Sequence, residues 1–90
     1  MWKEAYINSI IKETDLTWKF VITPKEKFNF MPGQFVQIKI KDIVRSYSIA
    51  SYYPNENLFE LLIVKLDGGI MTKYLFEEVK EGDAIQIKGP

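Results

Sequence analysis

The stretch "PGQFVQIKIKDIVRSYSIAS", residues 32–51, decides how this chain is expected to fold. In its first half, apolar side chains at Val36, Ile38 and Ile40 alternate with polar ones, which is the period-two pattern of a half-buried β-strand. A Lys-Asp pair then turns the chain, and "RSYSIAS", residues 45–51, resumes the alternation. The stretch therefore predicts two consecutive strands of a β-sheet.

Similar runs precede this stretch. "EAYINSII", residues 4–11, and "LTWKFVIT", residues 16–23, flank the turn-like "KETD", which predicts a hairpin. The first run is expected to place four residues on one face of its strand, namely Ala5, Ile7, Ser9 and Ile11. A polar connection follows and is closed by Pro32 and Gly33, a pair typical of turns.

Two more strands and a helix are predicted downstream. "LFELLIVK", residues 58–65, is apolar on both faces, and "DAIQIK", residues 83–88, returns to strand alternation. Between them lies a helical stripe at four-residue steps, formed by Met71, Leu75 and Val79. Gly82 is expected just past the end of this helix. Six short strands and one short α-helix predict a mainly β domain, a six-stranded antiparallel barrel closed to avoid exposed edges.

Composition narrows the function. Of the 90 residues, 47% are hydrophobic and 14% aromatic, enough to fill a single core. Twelve basic and twelve acidic residues leave no net charge, which counts against nucleic-acid binding. Without cysteine or histidine, the chain has no thiol nucleophile, no Cys/His zinc site and no imidazole-based triad. No run has the length of a signal peptide or a membrane span, so we expect a cytoplasmic protein without a membrane partner.

The run "RSYSIAS" carries chemistry as well as strand character. Arg45 brings a planar, permanently charged fork that suits phosphate or carboxylate. Tyr47 brings a flat ring for stacking, and Ser48 brings a compact donor and acceptor. A purely structural interpretation would make Arg45 a solvated charge, Tyr47 a core aromatic residue and the serine a filler.

The second motif is "GGIMT", residues 68–72, at the predicted start of the helix. A helix N-terminus carries unsatisfied N–H groups and the positive end of the macrodipole, and neighbouring glycines let a ligand approach the backbone, which suits phosphate. The structural interpretation is an ordinary glycine turn before a helix that Asp67 or Thr72 caps. Taken together with Arg45 and Tyr47, the motif indicates a ligand that has both a diphosphate and an aromatic ring, as nucleotide-like cofactors do.

Both motifs resemble those of a known family. "RSYSIAS" resembles the Arg-x-Tyr-Ser signature of the ferredoxin–NADP reductase superfamily, and "GGIMTKYL" resembles its Gly-x-x-Ser/Thr helix-start motif. "PGQFVQIKI" is similar to the strand that precedes the signature, and Thr72 stands where serine is common in the family. The resemblance extends over essentially the whole chain. It implies a Greek-key barrel of six antiparallel strands and one helix that binds flavin, usually FAD, with FMN the less common cofactor.

The resemblance also implies roles for individual residues. Arg45 would bind the pyrophosphate, Tyr47 would pack against the isoalloxazine, and Ser48 would hydrogen-bond near flavin N5 as the catalytic residue. Two further sets would complete the cofactor site: Gly69, Met71 and Thr72 at the pyrophosphate, and Ile63, Val64 and Lys65 along the pyrimidine edge.

By this resemblance, residues 1–90 form the FAD-binding barrel of an oxidoreductase that passes electrons between NAD(P)H and a protein or small acceptor. The family's NAD(P)H-binding domain is absent, and because the chain stops at "KGP" we expect a truncated piece that is inactive alone. Two alternatives stay open. One is a barrel-type binding module for nucleic acid or protein without redox activity, in which Tyr47, Tyr52 and Tyr53 would stack on bases. The other is a degenerate barrel that has lost its cofactor.

Overall fold

The computed structural model describes residues 1–29, 31, 33–65 and 68–89. Pro32, Asp67 and Pro90, which the sequence suggests as a turn residue, a helix cap and the chain end, lie outside the described residues. The described elements, in chain order, are β1 (Lys3–Lys12), β2 (Thr17–Pro24), β3 (Phe35–Ile40), β4 (Ile43–Ser48), β5 (Ser51–Tyr53), β6 (Leu58–Val64), α1 (Ile70–Glu77) and β7 (Ala84–Lys88).

The strands form one sheet in the order β4-β3-β7-β1-β2-β6-β5, and every described pairing is antiparallel. Neighbours in this order are often not consecutive in the chain, so several connections cross over intervening strands as in a Greek key. β4 and β5 follow one another in the chain yet lie at opposite ends of the order, which requires the sheet to curl until its ends approach. The predicted mainly β, antiparallel, barrel-like architecture with one short helix is confirmed. The predicted closure is wrong, because no strand pairing in the described part of the chain joins the two ends of this order.

The described sheet has seven strands, not six, because the run at residues 45–51 divides in two. The N–H of Ile49 donates to the carbonyl of Gln34 at 2.8 Å, which keeps this residue beside β3. The next amide, that of Ala50, donates instead to the carbonyl of Glu60 at 2.9 Å. One predicted strand therefore becomes β4 and β5, which pair with different neighbours.

The inner face of the curled sheet packs the core. Val36, Ile38 and Ile40 of β3 are all buried, as their alternation predicts. Side chains from the other strands join them, and the most fully enclosed include Ile7, Phe20, Ile22, Phe59, Leu61 and Ile87. Burial stabilises the fold by about 1.5–3 kcal/mol for each large apolar side chain. A single apolar core therefore maintains the curvature of the sheet.

A β-bulge in β1 overturns part of the prediction for that strand. The pairing of β1 with β2 shifts by one residue between Ile7 and Ser9, so Asn8 is an extra residue in the ladder. One extra residue reverses the face that all following side chains occupy. Ile10 consequently packs against the core, whereas Ile11, predicted to share the face of Ile7, is 43% exposed.

The helix α1 buries the predicted apolar stripe but ends early. Met71 and Leu75 are each 2% exposed, while Val79 packs against the core from beyond the helix. The helix ends at Glu77. The prediction of Gly82 as the residue just past the helix is therefore wrong, and Gly82 instead lies in the turn before β7, with a φ of 93°.

Local hydrogen bonds and an aromatic pair explain where α1 stops and how it is held. The amides of Glu78 and Val79 both donate to the carbonyl of Tyr74, which closes the helix without a glycine. Phe76 stacks on Trp18 of β2 with ring centroids 4.4 Å apart, and this contact anchors α1 to the sheet. Within the described ranges, no helix has the length and apolar character needed to span a membrane.

Asn57 fastens the β5–β6 turn to the connection that follows β2. Its backbone has a φ of 50°, a left-handed conformation that asparagine tolerates better than most residues. Its Nδ2 donates to the carbonyls of Pro24 at 3.0 Å and Glu26 at 3.3 Å, and its Oδ1 accepts from the amide of Phe28 at 3.2 Å. One side chain thus satisfies three backbone groups of the segment that leads toward β3.

Asn57→Ala is expected to lower the free energy of unfolding by about 2–3 kcal/mol, because three hydrogen bonds are lost and alanine adopts a positive φ poorly. Asn57→Gly keeps the backbone freedom but loses the bonds, so its loss should be smaller. Asn55→Ala, an exposed change in the same turn, is the control and should stay within about 0.5 kcal/mol of the wild type. Urea denaturation measures all three variants. Equal stabilities of Asn57→Ala and Asn55→Ala would contradict the role of Asn57.

Candidate functional site

β4 and β6 approach one another at one end and then separate. Just beyond the end of β4, the amide of Ala50 donates to the carbonyl of Glu60 in β6 at 2.9 Å, and from there β5 continues as the antiparallel partner of β6. In the other direction, no strand pairing in the described part of the chain joins β4 to β6. The result is a gap between two strand edges, with α1 beside it.

Strand alternation identifies the backbone groups of β6 that border this gap. In a β-strand the N–H and C=O of one residue point to the same side, and those of the next residue to the opposite side. The amide of Lys65 donates to the carbonyl of Leu16, on the β2 side, at 2.7 Å. The backbone groups of Leu62 and Val64 point toward the same side as each other, and we infer by alternation that this is the gap side.

The same argument applies to β4. Ile49 is bonded to β3 through the carbonyl of Gln34, whereas the next residue, Ala50, is bonded to β6. Counting back by two, the backbone groups of Ser48 and Ser46 point toward β6 and into the gap. The gap is therefore bordered on both sides by polar backbone groups that would form a ladder if the two strands stayed together.

The cleft in this gap has a volume of about 330 Å³ and opens to solvent. Most of the residues predicted to bind a cofactor line it, namely Arg45, Tyr47, Ile63, Val64, Gly69, Met71 and Thr72. The lining also includes Ser46, Leu62 and Ile70, which the motif assignments left out. Ser46 and Ile70 lie inside the two motifs, so including every position of each motif would have found them, whereas Leu62 lies one residue before the predicted set on its strand.

Ser48 and Lys65, also predicted for the site, do not line the cleft. The side chain of Ser48 is exposed on the face of β4 opposite to that of Tyr47, and its cross-strand partner is Phe35. The amide of Lys65 is occupied by the carbonyl of Leu16, so it offers no donor to a ligand in the gap. The roles assigned to Ser48 and Lys65 stay predictions.

The N-terminus of α1 borders the cleft with backbone amides. Gly69 is the N-cap residue, and no side chain caps it. The amides of Ile70 and Met71 precede the first hydrogen bond of the helix, which runs from Lys73 to the carbonyl of Gly69 at 3.0 Å. The first turn contains no acidic residue, so the positive end of the helix dipole is not neutralised by the helix itself. These features suit an anion.

Thr72 supports this helix start from inside. It is 5% exposed, and it is the one buried polar side chain among the described residues. Its Oγ1 donates to the carbonyl of Gly69 at 3.2 Å, across the first turn. In this arrangement the hydroxyl proton is used within the protein, and the predicted contact of the Thr72 hydroxyl with a pyrophosphate stays a prediction.

Arg45 and Tyr47 project from the same face of β4. Arg45 is exposed, its Nη1 donates to the carbonyl of Val44 at 2.7 Å, and among the described residues it is the only charged one in the cleft lining. Burial raises the pKa of the Tyr47 phenol above its ordinary value of 10.0, and the charge of Arg45 opposes this rise with a smaller effect. At neutral pH the described lining of the cleft therefore holds one fixed positive charge beside an uncharged aromatic ring.

Apolar side chains form the remaining rim of the cleft. Leu62, Val64 and Ile70 are 52%, 50% and 60% exposed, although all three are large and apolar. A flat apolar ligand would remove this surface from water, which is favourable. Among the described residues, no group of acidic side chains is placed to hold a metal ion. The donor set thus suits an organic ligand that has an anionic part and a planar part.

The sequence and fold of the chain resemble those of reductase components. The family of oxidoreductase FAD-binding domains matches residues 7–90. The chain is 35% identical over 75 residues to protein RfbI of Salmonella typhimurium, which covers 83% of this chain and 22% of that protein. It is 39% identical over 64 residues to the ferredoxin–NAD(P)(+) reductase component of the naphthalene 1,2-dioxygenase system of Pseudomonas putida, which covers 70% of this chain and 19% of that protein.

A solved structure extends the likeness to the whole fold. The ferredoxin reductase in carbazole 1,9a-dioxygenase superimposes with a TM-score of 0.92 at 27% identity, and the match covers 100% of this chain and 28% of that one. The chain spans about a fifth of the length of the two curated relatives named above.

Tyr47→Phe is expected to reduce the fall in the free energy of unfolding at high pH. Because the pKa of Tyr47 is raised in the folded state, the unfolded chain ionises first, so the stability is fully present below pH 10 and is lost as the pH rises through the folded pKa. Without this phenol, the variant should lose less stability as the pH rises above 10. Urea denaturation across this range measures the difference, with the exposed Tyr53→Phe as control. Identical pH profiles for the wild type and Tyr47→Phe would contradict the raised pKa.

Proposed function

The chain belongs to the family of oxidoreductase FAD-binding domains, and on this premise we propose that it holds FAD in the cleft between β4 and β6. The protein that contains it would be an oxidoreductase that passes electrons between NAD(P)H and a protein or small acceptor. The observation that carries the proposal is that Arg45, the N-terminal amides of α1 and an exposed apolar rim all border one cleft. These groups match a ligand with a diphosphate and a flat ring.

The diphosphate would lie between Arg45 and the start of α1. The guanidinium of Arg45 would exchange its bond to the carbonyl of Val44 for charge-assisted bonds to phosphate oxygens. The amides of Ile70 and Met71 would donate from the opposite side, at the positive end of the helix. Thr72 would keep this turn in shape through its bond to Gly69.

The flavin ring would fill the gap between the strand edges. Tyr47 would pack on one face of the ring, and the backbone groups of Leu62 and Val64 would meet its polar edge. Of the predicted set along that edge, this arrangement keeps Val64 and substitutes Leu62 for Lys65, because the amide of Lys65 is already bonded. Ile63 would contribute a wall of the cleft.

When bound, FAD supplies the redox chemistry, and the protein supplies binding, orientation and electrostatic tuning. Ser48 keeps its proposed place near N5 of the ring. Its backbone groups face the gap while its side chain lies on the other face of β4, so we propose that Ser48 acts mainly through its amide. Arg45 would offset the charge of the diphosphate and keep the cofactor oriented.

The flavin proposal has better support than a base-stacking module. That alternative needs Tyr47, Tyr52 and Tyr53 to offer their rings together to nucleic acid. Tyr52 packs against the core, and its hydroxyl donates to the carbonyl of Phe28 at 2.8 Å. Its ring is therefore used for packing, and the balanced net charge of the chain gives no electrostatic attraction to phosphate backbones.

The remaining steps of the reaction are proposed from the relatives. The Pseudomonas putida relative is, by its name, a ferredoxin–NAD(P)(+) reductase component of a dioxygenase system. We propose that NAD(P)H binds to a separate domain of the protein that contains residues 1–90, and that the acceptor is an electron-transfer protein or a small molecule. A cytoplasmic location belongs to the same proposal.

Arg45→Ala is expected to weaken FAD binding by about 1.5–3 kcal/mol, the range for hydrogen bonds to a charged group. Riboflavin, which has no phosphate, should bind the variant and the wild type equally. Lys73→Ala removes an exposed positive charge from α1 outside the cleft lining and is the matched control, with little expected effect. Flavin fluorescence titration gives the three affinities. Unchanged FAD affinity in Arg45→Ala would remove the assignment of Arg45 to the diphosphate.

The chain of residues 1–90 loaded with FAD is expected not to oxidise NAD(P)H at an enzymatic rate. Electron transfer from the nicotinamide needs it held close to the flavin, and such positioning contributes about 7–11 kcal/mol to lowering a barrier. The one glycine-rich helix start in the sequence, "GGIMT", is already assigned to FAD. Flavin absorbance and turnover with an artificial acceptor measure the reaction, and photoreduction of the same sample shows that the bound flavin is competent. Turnover above about 1 s⁻¹, a typical enzymatic rate, would show that a separate nucleotide domain is not needed.

A further inference from the structure

The turn that precedes β3 is hydrogen-bonded to Ile49, the residue at which the chain passes from β4 to β5. Ile49 is bonded on both sides, since its amide donates to the carbonyl of Gln34 at 2.8 Å and its carbonyl accepts from the amide of Gly33 at 3.1 Å. Its side chain is 2% exposed and therefore fixed in the core. The next residue, Ala50, is already bonded to β6. Gly33 and Gln34 thus locate the point at which β4 and β6 part.

Among the described residues, this turn has two internal hydrogen bonds and requires a left-handed backbone conformation at Gly33. The amide of Gln34 donates to the carbonyl of Met31 at 3.1 Å, and the amide of Met31 donates to Oε1 of Gln34 at 2.8 Å. Gly33 has a φ of 89°, which glycine adopts freely and other residues adopt rarely. A Cβ at Gly33 would meet no atom of the described residues within 4 Å. The demand for glycine therefore comes from the backbone conformation and not from crowding.

The position of Ile49 controls the gap because β4 ends at the residue before it, so a displacement of Ile49 would displace the end of β4. The amide of Ala50, two residues after Ser48, is bonded to the carbonyl of Glu60, so Ser48 lies next to the point at which β4 and β6 part. A shift of Ile49 away from or toward β6 would move the backbone of Ser48 relative to that of Leu62. Ser48 continues directly into Tyr47 and Ser46, which line the cleft together with Leu62, so the width of the cleft would change.

We infer that Gly33 is a positioning residue for the cofactor, because its left-handed turn, acting through Ile49, sets the width of the cleft between β4 and β6. The inference rests on the proposed function, in which FAD occupies this cleft. An L-residue at Gly33 favours other turn shapes, and these displace Ile49. FAD binding then has to restore the original width, so the affinity falls by the free energy of that restoration.

Gly33→Ala and Gly82→Ala form a matched pair for the test. Gly82 has a φ of 93°, and a Cβ there also meets no atom within 4 Å in the part of the chain that the structure describes. Gly82 does not line the cleft, and its amide donates to the carbonyl of Ile7 in β1. Both changes therefore impose the same kind of backbone strain, but only Gly33 is connected to Ile49.

We expect Gly33→Ala to raise the Kd for FAD about tenfold and Gly82→Ala to leave it within about twofold of the wild type. The visible absorption bands of the bound flavin should shift in Gly33→Ala and stay unchanged in Gly82→Ala. Gly33→Asn should recover most of the affinity, because asparagine enters the left-handed region more readily than alanine. Fluorescence titration and absorption spectra of the purified chain give these values.

If Gly33→Ala fails to fold, Gly33→Asn and Gly82→Asn replace the alanine variants in the test. The inference then requires a higher Kd for FAD in Gly33→Asn than in Gly82→Asn. If the wild type binds FAD and the variants at the two glycines have equal Kd values, the inference is overturned while the proposed function stands. A wild-type chain that binds no flavin would overturn both.

Discussion

The fold depends on one change of hydrogen-bond partner, between Ile49 and Ala50. Ile49 gives its amide to Gln34 beside β3, and Ala50 gives its amide to Glu60 of β6. Because one run of chain serves two neighbours in succession, it divides into β4 and β5, which stand at opposite ends of the sheet order. The curl of the sheet and the gap between β4 and β6 both follow. A full ladder between these strands would have closed the barrel and left no cleft.

Local patterns in the sequence were sufficient wherever one face of an element meets the core. Val36, Ile38 and Ile40 alternate and are buried, and Met71 and Leu75 recur at helical spacing and are buried as well. The chemistry of the site was also readable, because charge, ring and helix start are properties of individual residues and short motifs. The structure brings these motifs to one cleft although about twenty residues separate them in the sequence.

The features that the sequence did not reveal depend on pairing between distant segments. The sequence around Asn8 does not indicate a bulge, because the bulge exists only in the register between β1 and β2. The extra residue turns Ile11 outward and Ile10 inward. The assignment of Lys65 to a ligand edge likewise required knowing which way its amide points, and that direction depends on its bond to Leu16. Residue type predicts what a group can do. The register of the strands decides which backbone groups remain available to bind a ligand.

The two unpaired strand edges also bear on self-association. On the β6 side of the gap, the backbone groups of Leu62 and Val64 have no strand partner across it among the described residues, and both side chains are large, apolar and about half exposed. An edge that combines open hydrogen-bonding groups with apolar side chains is a template for pairing with a strand of another molecule. A ligand in the gap would cover the same groups and remove the template. Occupancy of the cleft and resistance to aggregation are therefore linked through the same few backbone atoms, so that supply of the ligand bears on how long the chain stays dispersed after synthesis.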